Sequence, residues 1–198
     1  MCRFVYDGTS SPEAGSLLNC TKKYTIYTKE LICCYDTESI SAEAVNLVTL
    51  DCAWTHITAI PDTLINLVYL NCNWTLITKL PDTFVNLVKL NCSKTRIAQF
   101  PNTLVKLVTL YCWRTLINEL PNTFVNLVTL YCRGTQISSL PYTLKHIRQI
   151  YSDNKPFVIL YKYGFNNLDV DFRSRYKKLI VLYSVLLSDV YRHYKYYF

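Results

Sequence analysis

Glycine is scarce in this chain, with four in 198 residues. A phosphate-cradling loop needs several close together, and no G-x-G-x-x-G or G-x-x-x-x-G-K-[ST] string occurs. Charge is thin at 18%, below the usual quarter. No Lys/Arg run exceeds two residues, so the dense basic stripe of a dedicated nucleic-acid binder is missing. Long apolar runs are missing too. The longest, residues 179–187 with one serine, is far too short to span a bilayer. The opening MCRFVYDGTSSPEAG has no apolar stretch of the secretory type. Only three histidines occur, His56, His146 and His193. None has a Ser, Cys or carboxylate at catalytic spacing, and no H-E-x-x-H or paired-carboxylate motif is found. These absences argue against an enzyme, against a cofactor, and against a metal or catalytic site.

What is present points elsewhere. The net charge of +7 is spread as −1 over residues 1–40, +4 over 41–150 and +4 over 151–198. Such a mild bias helps attract acidic partners without defining one. Nine cysteines occur, and five of them (Cys52, Cys72, Cys92, Cys112, Cys132) are spaced by twenty. No C-x-x-C pair exists among these, so they read as small hydrophobes in a core instead of metal ligands. Free thiols without a signal sequence predict a reducing, intracellular and cytoplasmic setting.

The same spacing governs residues 47–146. They divide into LVTLDCAWTHITAIPDTLIN, LVYLNCNWTLITKLPDTFVN, LVKLNCSKTRIAQFPNTLVK, LVTLYCWRTLINELPNTFVN and LVTLYCRGTQISSLPYTLKH, with no insertions. A fixed period of 20 to 29 with L-x-x-L-x-C-x-x-T-x-I is the signature of leucine-rich repeats, and the chain resembles that family. The L-P-x-T-F-x-N-L-x-x-L-x-C strings are also similar to leucine-rich-repeat proteins encoded by giant DNA viruses of amoebae, which implies a host-cell cytoplasmic setting. The resemblance implies an α/β solenoid, a right-handed superhelix with a parallel sheet on its concave face. Threonine (Thr55, Thr75, Thr95, Thr115, Thr135) stands where the family usually has asparagine.

Each position in the block has a physical assignment. Around Leu50 and Cys52 the pattern alternates, as in a short strand with those residues inward and Thr49, Asp51 and Ala53 outward. The following isoleucine (Ile57 and its equivalents) turns back into the core. Pro61, Pro81, Pro101, Pro121 and Pro141 fix φ and remove a donor. The convex side is therefore expected to be extended or 3₁₀-like. Leu64, Phe84, Leu104, Phe124 and Leu144 add one more buried residue per block.

The ends are less regular. Residues 1–46 read as an N-terminal cap with one degenerate repeat, with strands at 24–27 and 31–35. Projecting the period backward puts Ile32 at the cysteine position and Ile40 before the missing proline. Repeats fill 47–150, the sixth being partial with Ser152 for cysteine. Residues 151–198 read as a cap, with a strand over 157–163 and a helix over about 172–194. The apolar stripe of that helix packs on the last repeats, or serves as a docking element.

Function is argued from positions that vary while the core is constant. On the outward face and its rim these are Asp51, Trp54, Tyr69, Asn71, Asn73, Trp74, Lys89, Asn91, Lys94, Tyr111, Trp113, Arg114, Tyr131 and Arg133, with Ser93 also outward. All three tryptophans are among them. Trp, Tyr and Arg are enriched in interface hot spots. The sequence therefore predicts a non-enzymatic protein–protein interaction module binding on the concave sheet. The alternatives are single-stranded nucleic-acid binding, through stacking beside cations, and a substrate-recruiting subunit of a ubiquitin ligase, for which no ligase-docking element is recognisable.

Overall fold

The computed structural model describes residues 3–5, 27–141 and 143–153. Eight strands form one sheet in chain order: β1 (Arg3–Val5), β2 (Glu30–Ile32), β3 (Thr49–Asp51), β4 (Tyr69–Asn71), β5 (Lys89–Asn91), β6 (Thr109–Tyr111), β7 (Thr129–Tyr131) and β8 (Gln149–Tyr151). From β2 onward every pairing is parallel, and from β3 onward the register is twenty, as in Leu50↔Leu70↔Leu90. Each turn of the chain thus lies on its neighbour as one coil of a solenoid of about six turns.

The core runs down the middle. Leu47, Leu50, Cys52, Ile57 and Leu64 and their equivalents two repeats on are completely buried, as are Phe84 and Phe124. One coil cannot bury its own apolar stripe, so stacking is what removes it from water. The strands are only three residues long because the chain bends directly after the cysteine. There each threonine hydroxyl donates to the carbonyl three residues back, Thr55 to Cys52 at 2.7 Å and likewise Thr75, Thr95, Thr115 and Thr135. The hydroxyl thus satisfies a buried carbonyl within its own coil.

The return path contains no helix among the described residues. Two successive tight turns follow Pro61, Pro81, Pro101 and Pro121, closed in the first case by Leu64 N–H to Pro61 O and Leu67 N–H to Leu64 O. Some side chains of these turns tie neighbouring coils together: Thr63 and Thr83 Oγ1 donate to the carbonyls of Ala42 and Asp62, and Asn66 and Asn86 Nδ2 to those of Val45 and Ile65, whereas the equivalent hydroxyls of Thr103, Thr123 and Thr143 are buried without a partner.

Two expectations need correction. β2 pairs Leu31 with Leu50 and Ile32 with Asp51, so Ile32 is not at the cysteine position. Cys33 is there, its N–H donating to Asp51 O. The first coil is one residue shorter between strand and return path, and the phase recovers by Thr37 and Ile40, both buried. The strand expected over 31–35 is accordingly Glu30–Ile32. Before it, β1 pairs antiparallel with β2, a strand with no periodic signal in the sequence. The strand and helix expected over 157–163 and 172–194 lie outside the described residues.

Candidate functional site

The outward face of the sheet carries two columns of side chains that run along the solenoid axis, because register-matched residues stack about 4.8 Å apart. The first column follows the middle of the sheet. Tyr111, Tyr131 and Tyr151 stack nearly parallel, with centroids 4.4 and 4.2 Å apart. Lys89 bridges this column to Tyr69, its Nζ lying 5.3 Å from the Tyr69 ring centre and 6.0 Å from that of Tyr111. A side-chain hydrogen bond with Tyr151, then partial desolvation, pushes the Tyr131 phenol above its ordinary range. Burial, then the charge of Asp51, does the same to Tyr69.

The second column stands on the rim, where the strands end. Trp54 and Trp74 stack at 4.5 Å with an interplanar angle of 18°. The Lys94 Nζ caps the other face of Trp74 at 3.3 Å and also lies 4.8 Å from Trp113. Arg114 is 5.8 Å from the Trp113 ring. Partial desolvation, then Arg114, holds the Lys94 ammonium below its ordinary range.

This rim is built on a left-handed backbone. Trp54, Trp74, Lys94 and Arg114 have φ of 60°, 55°, 55° and 53°, and Gly134 takes the same conformation in the next repeat. The conformation is held because each residue's N–H donates forward to the next coil, Trp54 to Asn73 O, Trp74 to Ser93 O, Lys94 to Trp113 O and Arg114 to Arg133 O. For residues with a Cβ it costs about 1–2 kcal/mol each. Four large side chains are thus carried where glycine fits without strain. Only Gly134 signals this backbone in the sequence; Trp, Lys and Arg do not.

The N-terminal part of the face is polar. Asn71 Nδ2 donates to Asp51 Oδ2 at 3.0 Å, and the Asp51 and Asn91 side chains accept from the N–H of Ala53 and Ser93. These side chains largely brace the bend. Asn73 Oδ1 is buried and unpartnered, and Ser93, expected outward in water, is completely buried with its Oγ unpartnered. At the other end Arg133 pairs with Asp153 at 2.9 Å, and the same carboxylate accepts from Gly134 N–H. The Arg133 guanidinium, then the Gly134 N–H, holds Asp153 below the usual carboxylate range.

All fourteen anticipated residues lie on this face or its rim. The two columns join Trp54, Trp74, Lys94, Trp113 and Arg114, and Tyr69, Lys89, Tyr111 and Tyr131. Asp51, Asn71, Asn73 and Asn91 belong to the polar end, and Arg133 is engaged by Asp153. Sequence reasoning missed Tyr151 and Asp153, although each sits twenty residues after a residue it singled out.

Beneath the face runs the cysteine row. Cys52, Cys72, Cys92 and Cys112 are free and fully buried. Burial, chiefly, raises their thiols well above the ordinary range and Cys33 to about 12. Thiols so held are not nucleophiles. Cys34 is the exception to the expectation of free thiols, being disulfide-bonded. Among the described residues no group of three or more His, Cys, Asp or Glu is placed to hold a metal, and no helix is long and apolar enough to cross a membrane.

No protein-family model matches the chain, and no curated protein matches it. Solved structures do. The functional domain of InlJ from Listeria monocytogenes, described as including a cysteine ladder, superposes with a TM-score of 0.60 at 24% identity, over 65% of this chain and 30% of that one. YopM from Yersinia enterocolitica gives 0.57 at 20% identity, over 66% and 30%. The chain therefore matches under a third of the length of either structure. With the register, the inward leucines and the returning turns, these likenesses establish the fold of this chain as a leucine-rich-repeat solenoid.

Proposed function

We propose that the chain is a non-enzymatic interaction module that binds a protein partner on its concave sheet and rim. The observation that carries this reading is the rim: three of its four strained residues bear Trp or Arg, and the fourth, Lys94, is clamped between two indoles. Strained backbone at a surface is maintained where function uses it. Rings already stacked on one another lose little freedom on binding, which is the advantage of preorganisation. The resemblance of the L-P-x-T-F strings to giant-virus leucine-rich-repeat proteins would imply a host-cell cytoplasmic setting.

Single-stranded nucleic acid is the weaker reading. Tyr131 is covered on both faces by Tyr111 and Tyr151, and Trp74 by Trp54 and Lys94. Bases need open ring faces, and the columns present mainly edges. A substrate-recruiting role in a ubiquitin ligase has no docking element to support it among the described residues.

The test is affinity capture with the full chain, followed by titration of the recovered protein against Trp74→Ala and Trp113→Ala. The expected loss is about 2 kcal/mol or more for each. Unchanged affinity in both variants removes this face as the binding surface. Binding that instead weakens steeply with salt on a nucleic acid would favour the weaker reading.

A further inference from the structure

The opposite rim of the sheet, where the strands begin, carries a second feature. The residue before the first leucine of each repeat is asparagine in four of six repeats, but lysine at Lys106 and histidine at His146. The residue after that leucine is valine in five, but arginine at Arg148. These three departures come from two separate repeats, yet the fold brings them to the wall of one open cleft of about 430 Å³. Asn126 completes the polar wall, and Val108 and Val128 form an apolar floor. Among the described residues no carboxylate lines the cleft. Lys106 Nζ is already oriented, donating to Asn86 Oδ1 at 2.8 Å. Arg148 and His146 are exposed, and no ion pair to Lys106, His146 or Arg148 is present among the described residues.

We propose that this cleft is an oxyanion site for a phosphate monoester carried on an apolar skeleton. Lys106 and Arg148, with the His146 imidazole, supply charge and N–H donors for a dianionic phosphate. Arg presents the forked donor geometry that phosphate oxygens match. Val108 and Val128 cover the carbon skeleton beside it. A monocarboxylate would match only one of the two fixed positive charges of the wall. The site lies across the sheet from the tryptophan rim and does not depend on the partner reading above.

The repeat itself supplies the test. Lys106→Asn, His146→Asn and Arg148→Val return each position to the residue that most other coils carry there, so the fold is retained. Phenyl phosphate is titrated into the full chain by equilibrium dialysis at fixed ionic strength, with sulfate as competitor. The expected result is saturable binding that sulfate competes poorly, weakened about tenfold or more in the triple variant, with Lys106→Asn alone intermediate. Thermal unfolding should be unaltered. Non-saturating uptake by the natural chain, or equal affinity in the triple variant, overturns the proposal. Co-sedimentation with phosphatidylcholine vesicles containing phosphatidic acid identifies the source. Retention abolished by the triple variant assigns the monoester to a lipid headgroup, and no retention, with phenyl phosphate still bound, assigns it to a soluble ester.

Discussion

Replacing Trp74 in two ways isolates the strain on the rim. Trp74→Ala removes the stack on Trp54, about 0.5–1.5 kcal/mol for an aromatic pair. It also removes the Lys94 cation–π contact, about 0.5–1 kcal/mol at an exposed site. The expected destabilisation is the sum, roughly 1–2.5 kcal/mol. Trp74→Gly loses the same contacts, yet it releases the left-handed backbone, worth about 1–2 kcal/mol. Against this stands the extra unfolded-chain freedom of glycine, about 0.5–1 kcal/mol. The glycine variant should therefore be the more stable by about 0.75 kcal/mol at the centre of a range of roughly 0–1.5, or about 1.5–3 °C in thermal midpoint for a domain of this size. At Leu76, exposed two residues later and without positive φ, the order should reverse, with alanine the better by about 0.5–1 kcal/mol. Thermal and urea unfolding of the four variants measures both differences. An alanine variant at 74 as stable as the glycine variant, with the expected order at 76, would refute the argument that the rim is strained.

Leu90→Ala opens a cavity in the middle of the core, where Leu90 is completely buried, and should cost about 2–5 kcal/mol in urea unfolding. A loss below 1 kcal/mol, on the order of a surface change, would contradict the inward register. A thiol-specific disulfide reagent should leave Cys52, Cys72, Cys92 and Cys112 unmodified in the folded chain and label them in denaturant; rapid native labelling would place them at the surface. The raised thiols set an alkaline limit: their stabilisation is complete below the unfolded thiol pKa of about 8.5 and declines as pH climbs from there towards the folded values. Asp153 works in the opposite sense. Its depressed carboxyl adds stability that is present above the unfolded aspartate pKa and lost as pH falls through the lower folded value. Hydrogen exchange at the Gly134 amide should accelerate over that acid window relative to neighbouring coils, and Asp153→Asn should abolish the window.

Most of the fold was legible because it repeats. A leucine or cysteine at every twentieth position can be inward in all coils only if the coils stack, so periodicity alone set strand, register and core. Legibility failed where one coil departed from the rest. The first coil is a residue short, and projecting the period landed on Ile32 instead of Cys33. β1 is three residues of antiparallel pairing, too short to leave a pattern. The candidate face was legible as a set of variable positions but not as a geometry. Nothing in Trp54, Trp74, Lys94 or Arg114 announces a left-handed backbone, since that conformation is imposed by hydrogen bonds to the next coil. Ser93 looked like a solvated residue by alternation, yet its coil closes over it.

On the return path the side-chain ties to neighbouring backbone all point one way. Thr63, Thr83, Asn66, Asn86 and Asn126 each donate to a carbonyl in the coil before their own. A chain leaving the ribosome exposes its N-terminal coils first. A later coil then emerges with these return-path donors aimed at carbonyls that already stand in place. The return path is thus templated in the direction of translation, whereas the rim N–H groups of Trp54, Trp74, Lys94 and Arg114 wait for the coil that follows. A circular permutant that delivers the later coils first would lose that order at the new junction while keeping the same final contacts, so its refolding from denaturant should match the parent while its yield during synthesis falls.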